Sequence, residues 1–227
     1  MTNLVTGQSS APVVGHRDRI LDAAERLLGR FGYRKMTVDD IAAEAGIGKG
    51  TVYLSFPSKE EVVLSTVDRI VERVCTAMEE AAARDEPAAE RLRAMLRARV
   101  LVRFEAVAAY SASLNDLLGR TRAALLKRRV QHFEREIGVL ARAIAGGQQE
   151  GELAAGAPRR IGRALVLATN SFLPYALSPD ELGDAKRLRR EAGDVIDIVV
   201  DGITAANPPT TARRKRLFGE VVLGRNR

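Results

Sequence analysis

The chain of 227 residues is 46% apolar, 29% charged and 4% aromatic, with no Trp and a single Cys. That length suffices for one or two domains with a real core; the apolar share excludes a disordered chain, and the lone Cys75 excludes a disulfide scaffold and suits a reducing compartment. The formal charge of +7 hints at a polyanionic partner, but residues 1–60 and 61–206 each carry a net +1 and residues 207–227 carry +5, so bulk charge identifies nothing by itself.

No stretch approaches the ~18 uninterrupted apolar residues of a membrane span, and the first sixteen residues lack the basic start and apolar run of a signal peptide. A soluble, cytoplasmic chain with no membrane partner is expected. Proline is absent from 13–56 and 88–157, and apolar residues recur at helical spacing almost throughout. The first helix carries the stripe Ile20, Leu21, Ala24, Leu27, Leu28 and Phe31, with Gly32 as its stop. Thr37 then reads as an N-cap with Asp40 as its box partner and Asp39 in the favourable first turn. The helix it opens is short, Val38 to about Ala45, and Gly46 ends it. A third short helix begins near Gly48 and must finish before Pro57, since the residue ahead of a proline avoids the α region.

Ser58 with Glu61 opens a long helix, about 58–84, striped with Val63, Val67, Ile70, Val71, Val74 and Met78 and broken by Asp85-Glu86-Pro87. Helices over about 87–105, 107–118 up to Gly119, and 120–145 up to Gly146-Gly147 follow, then a glycine-rich loop to Pro158. Helices over about 158–173 and 180–205 complete the fold, and residues 207–227 form a basic tail. No repeat or convincing strand is present. The fold class is all-α with about nine helices, divided into an N-terminal arm (1–16), a three-helix reading domain (17–60), a second helical domain (61–206) and the tail.

Three helices within about forty residues, the second and third short and joined by a tight turn at Gly46-Ile47, follow helix-turn-helix grammar. The stretch 17–63 resembles the amino-terminal DNA-binding domain of the TetR family of bacterial transcriptional regulators. The resemblance rests on Ile-Leu-Asp-Ala-Ala (20–24), Phe-Gly-Tyr (31–33), Thr-Val-Asp-Asp-Ile-Ala (37–42), Ala-Gly-Ile-Gly-Lys-Gly-Thr-Val-Tyr (45–53) and Phe-Pro-Ser-Lys-Glu (56–60). Each piece is weak alone; the ordered set is specific, and it covers 47 of the 227 residues.

The residues support a DNA-reading role independently. Thr37 at an N-cap leaves the amides of Val38 and Asp39 at the positive end of a helix, a ready phosphate site. Gly48 and Gly50 let backbone approach a duplex, and Lys49 is the long donor suited to guanine O6/N7. The resemblance further implies that Thr51 and Tyr53 donate hydroxyls to phosphates and that Lys59 clamps one, and Ser55 completes the DNA-binding set. Two departures stand out. Leu54 and Ser55 occupy positions often held by His or an aromatic, and Asp39 stands where some members place a base-reading Arg, which narrows direct readout. Phe56 suits packing beneath the first helix.

Gly46–Thr51 superficially resembles a P-loop, but that motif requires a glycine where Ala43 stands, Ser or Thr directly after the lysine, and a preceding strand. His132 and Glu136 lie four apart on one helix without a third metal ligand, so neither a metal nor a cofactor is expected. The apolar surfaces of the last two helices, with Leu165, Ala168, Val195, Ile196, Val199 and Ile203, cover more than one stripe and suit a two-fold dimer. Phe104, Tyr110, Asn115, Phe133, Asn170, Phe172 and Tyr175 are the candidate lining of a mostly apolar effector cavity. The expected function is a homodimeric, effector-responsive DNA-binding regulator, a repressor of a palindromic operator in double-stranded DNA. A constitutive helical DNA binder without a pocket, and an enzyme acting on an apolar metabolite in the second domain, remain alternatives.

Overall fold

The computed structural model describes residues 15–108, 114–176 and 184–204. These hold eight α-helices and two single-turn 3-10 helices: α1 (His16–Lys35), α2 (Val38–Ala45), α3 (Lys49–Ser55), α4 (Lys59–Ala82), α5 (Ala88–Ala108), α6 (Leu114–Gln149), α7 (Pro158–Ala168), the turns Asn170–Phe172 and Pro174–Ala176, and α8 (Ala185–Asp201). Among the described residues the only β pairing is an isolated antiparallel bridge, Leu153 to Thr204, and none of their helices is long and apolar enough to cross a membrane. The arm and the basic tail expected at the two ends lie outside the described residues. The described helices form two compact units: residues 15–69 with 114–125, and residues 70–108 with 126–204.

In the first unit α1 presents Ile20, Leu21, Ala24, Leu27 and Leu28 to the core. Gly32 takes a left-handed φ of 72° and kinks the helix where its stop is expected, after which one more turn reaches Lys35. Phe31 departs from the expected stripe, since it is 49% exposed at the kink with Arg30 beside its ring. The first turns of α4 pack against α1. Arg69 spans from α4 to Asp22 and Glu25, at 2.6 and 2.9 Å, and Val62 to Thr66 are buried in succession, a wider face than one stripe. For that reason the compact unit extends to Arg69, past residue 60.

The second unit is built on α5, whose Leu92, Met95, Leu96, Val100 and Phe104 are buried. Two expected breaks are absent: α6 runs unbroken through Gly119 and Gly146-Gly147. Gly147 is there for packing, because a Cβ would sit 2.6 Å from both Ala88 Cβ and Leu153 Cδ1. Gly162 likewise lets α7 cross α6, with the Ile137 carbonyl oxygen 3.3 Å from where its Cβ would stand. Leu188, Ala192, Ile196 and Val200 form the inward stripe of α8, and Arg93 of α5 holds that helix through Asp197 and Asp201.

At the centre of this unit lies a charged cluster that the periodicity of α5 and α6 conceals. Arg99 and Glu136 are fully buried and joined at 2.7 Å; Arg103 bonds the second oxygen of the same carboxylate and donates to the Arg99 carbonyl at 3.1 Å. Arg99 also donates to the buried Thr169 hydroxyl at the end of α7, at 2.8 Å. Glu136 is thus committed to arginines rather than to a metal site with His132. Replacing Glu136 by Ala leaves two guanidiniums buried without their shared carboxylate, and a loss of about 3–5 kcal/mol is expected. Glu105→Ala, which breaks an exposed pair with Arg189, should cost under ~1 kcal/mol. Urea unfolding of both variants measures the contrast.

Candidate nucleic-acid interface

The reading element is assembled by local rules. Thr37 caps α2 through a complete capping box: Asp40 N donates to Thr37 Oγ1 at 3.1 Å, while Thr37 N and Thr37 Oγ1 donate to Asp40 Oδ2 at 2.8 and 2.7 Å. Those bonds hold the Asp40 carboxyl below the usual carboxylate range. The Thr37 hydroxyl is therefore occupied by the cap, and Val38, the first residue of α2, is half-buried.

Gly46 closes α2 with a φ of 64°, its N–H reaching the Ala42 and Ala43 carbonyls, and Ile47 N donates to Ala42 O at 3.0 Å. Arg19 of α1 donates to the carbonyls of Ala45 and Gly46 at 2.6 and 3.2 Å, adding cationic charge at the negative end of the helix. α3 starts at once, from Gly48. It lodges on the unit through Val52 and through Phe56 just beyond its end, both 1% exposed, and the Arg17 guanidinium lies 4.4 Å over the Phe56 ring.

Most of the remaining residues of this short rod face outward. Gly48, Lys49 and Gly50 are exposed, Thr51 is half-buried, Tyr53 is 48% exposed and Leu54 89%. The structure thus brings Gly48, Lys49, Gly50, Thr51 and Tyr53 onto one accessible segment, and a Cβ at Gly50 would meet nothing within 4 Å. Lys49 Nζ is 2.8 Å from Asp39 Oδ2, and this hydrogen bond raises the ammonium's pKa above its ordinary value, so it is fully charged at neutral pH.

Two expected contacts are engaged elsewhere. Ser55 Oγ donates to the Thr51 carbonyl at 3.2 Å. Lys59 Nζ donates to the Tyr33 and Met36 carbonyls at 3.0 and 2.9 Å and lies 4.4 Å from the Tyr33 ring centre. It binds the end of α1 to the start of α4, a bridge across more than twenty residues that no local spacing announces. Leu54 is an apolar side chain left in the open because the inward positions of this segment are already filled by Val52 and Phe56.

This geometry defines a helix-turn-helix protein with its second short helix presented to solvent. A family model for bacterial regulatory proteins of the tetR family matches residues 20–74, so this part of the chain is similar to that family's amino-terminal domain. The transcriptional regulator EthR of Mycolicibacterium smegmatis is 46% identical over 54 residues, 24% of this chain and 25% of that protein, so the chain spans about a quarter of that relative's length. The fatty acid metabolism regulator protein of Bacillus subtilis is 25% identical over 190 residues, 82% of this chain and 94% of its own. Among solved structures, a transcriptional regulator from Cytophaga hutchinsonii has a TM-score of 0.66 at 18% identity, covering 82% of this chain and 97% of that one. SmeT, solved in complex with triclosan, has 0.61 at 24% identity over 83% and 91%. At such identity these two show the fold. The relatives are named as regulators and not as enzymes.

Two outcomes follow from the bonding. Asp40, with its carboxyl held low by Thr37, contributes stability that is fully present above the ordinary carboxylate range and is lost as pH falls through and below it. Thermal melts between pH 7 and pH 3 should show this acid sensitivity, and Asp40→Asn should flatten it. Lys59→Met removes two charge-assisted bonds and should cost about 1.5–3 kcal/mol in urea unfolding, whereas Lys49→Gln should leave stability nearly unchanged.

Proposed function

We propose that the chain is a homodimeric transcriptional repressor that binds a palindromic operator in double-stranded DNA and leaves it when a small, largely apolar effector binds. The observation that carries this reading is the outward rod of α3, anchored by Val52 and Phe56 and presenting Gly48, Lys49, Gly50, Thr51 and Tyr53. A rod of this size suits a major groove, where side chains near its start meet base edges and hydroxyls flanking them meet phosphates. Val38 adds a backbone contact at the start of α2.

One rod reads few base pairs, so a two-fold pair at a spacing of ~34 Å or its multiple is needed. The last two helices offer the surface, though by different residues than the pattern favoured. Leu165 and Ile196 are buried in their own unit, at 2% and 0% exposed, because they lie on the inward stripes of α7 and α8. Ala168, Val195, Val199 and Ile203 are half-buried, and Leu167 and Ile198 stand out at 59% and 72% exposed. The proposed dimer face is therefore centred on Leu167 and Ile198 and flanked by the half-buried four.

The effector is assigned to the second unit. Phe104 is buried there, while Phe133, Asn170 and Phe172 are half-buried. Tyr110 lies outside the described residues, and so do the side chains of Asn115 and Tyr175. Arg99 and Arg129 each place a guanidinium 5.5 Å from the Phe133 ring centre, so the neighbourhood combines apolar walls with charge. SmeT, a protein of the same fold, forms a complex with triclosan, which supports a small-molecule effector for this chain.

Selection of bound fragments from a random duplex pool tests the reading. An inverted repeat with half-sites one helical turn apart, or a multiple, is expected. The double variant Leu167→Asp, Ile198→Asp should sediment as a monomer and lose at least tenfold in affinity for the selected duplex. Failure of the wild-type chain to enrich any sequence overturns the proposal. Thermal shifts with a panel of apolar compounds, repeated with the duplex bound, separate an effector-responsive protein from a constitutive binder.

A further inference from the structure

The ion pair between Asp39 and Lys49 has no evident structural task. Its side chains are 67% and 51% exposed, and exposed pairs contribute little to stability; α2 and α3 are held instead by Ile41, Val52 and the Gly46 turn. The other acids of α2 are committed, Asp40 to the Thr37 cap and Glu44 to Arg26 at 2.7 Å. Asp39 is the one turned toward α3. A carboxylate on a surface that meets phosphates works against affinity, because each phosphate contact draws its strength from an unneutralised cation. A protein that only needed to hold DNA would be better served without it.

We infer that Asp39 and Lys49 read one G·C base pair as a unit, Lys49 donating to guanine and Asp39 accepting from the cytosine amino group; this rests on the DNA-reading role proposed above. A lone lysine is a mobile point charge with three donors that accepts any nearby oxygen, phosphates included. Bonded to Asp39 Oδ2 at 2.8 Å, the ammonium has a fixed direction and two donors left. Those two match the adjacent N7 and O6 acceptors that guanine alone presents in the major groove. Beside O6, the partner cytosine offers its N4 amino donor, which the second carboxylate oxygen of Asp39 can accept. An A·T pair offers the reverse arrangement on the purine, an amino donor next to N7, and would place adenine's amino group against the ammonium. Tyr53, one turn further along α3, is 48% exposed, so the pair and that candidate phosphate contact are both open to solvent on the same short helix.

The test uses the full-length chain and the random duplex pool, with Asp39→Ala, Lys49→Gln and the double variant; circular dichroism melts confirm that each remains folded. Wild type should enrich a G·C pair at one fixed position, and replacing it by A·T should weaken binding about ten- to hundredfold. In Asp39→Ala that discrimination should fall below about threefold. Binding of Asp39→Ala to unselected duplex should tighten and its log–log salt slope steepen by about one phosphate contact per chain, because the released Lys49 then reaches the backbone. In the Lys49→Gln background, the Asp39→Ala change should leave that slope unaltered. The inference is overturned by enrichment of A·T at the position, by undiminished discrimination in Asp39→Ala, or by equal slope changes with and without Lys49. If wild type enriches no duplex at all, the DNA-reading proposal itself falls; if it enriches one and the variants select the same sites, the pairing alone falls.

Discussion

A helix of seven residues cannot hold itself together in water, since nucleation costs more than so few hydrogen bonds return. α3 therefore exists only because its neighbours hold it, and they do so with very little: Val52 inward from its middle, Phe56 just past its end, and the left-handed Gly46 that starts the turn before it. Arg19 completes the arrangement by binding the carbonyls at the turn from α1. Because anchoring uses so few positions, the remaining side chains of α3 are released for other work. A short, minimally anchored rod is the form that leaves the most surface to read with.

The same economy governs charge in the first unit. Several of its cations serve its own architecture: Arg19 on the α2 carbonyls, Arg26 on Glu44, Arg69 on Asp22 and Glu25, and Lys59 on the end of α1. Lys49 is committed to Asp39 as well, but in the open, where water and a ligand compete for both partners. A surface so nearly balanced gains little from long-range attraction to a polyanion and must discriminate by contact. Charge counting along the chain could not reveal this, because it weighs a cation buried in a cap the same as one presented to solvent.

How far the sequence spoke depended on the range of the interaction. The Thr37–Asp40 box, the Gly46 turn, the end of α3 before Pro57 and the burial of Phe56 all follow from rules within a few residues, and each is legible in the sequence alone. The exposure of Phe31 is not, since the left-handed Gly32 rotates the chain away just where the stripe would continue. Gly119 and Gly147 suggest helix ends because glycine is costly within a helix, but at Gly147 the gain from close approach to Ala88 and Leu153 outweighs that cost. Lys59, which the resemblance casts as a phosphate clamp, has carbonyl partners 23 and 26 residues away that its local sequence does not announce. The inward phase of Leu165 and Ile196 likewise could not be chosen from a segment apolar on several sides.

The buried arginines of the second unit show the strongest divergence between pattern and physics. On α5 they stand among Arg93 and Arg97, which pair with residues nearer the surface, and nothing in the spacing distinguishes Arg99 and Arg103 from them. Packing does: α6 brings Glu136 between the two, and the end of α7 supplies the Thr169 hydroxyl. Such a cluster adds little net stability over an apolar core. Its geometric demands are nevertheless strict, for a one-residue slip of α6 would turn Glu136 away and strand two cations in a medium of low dielectric. Buried apolar side chains such as Leu96, Val100, Ile137 and Leu140 tolerate small sliding, but a shared carboxylate does not. The cluster therefore fixes the register of α5, α6 and the end of α7 around the half-buried Phe133, Asn170 and Phe172. A ligand entering there would meet walls whose relative positions are set by electrostatics and not by shape alone.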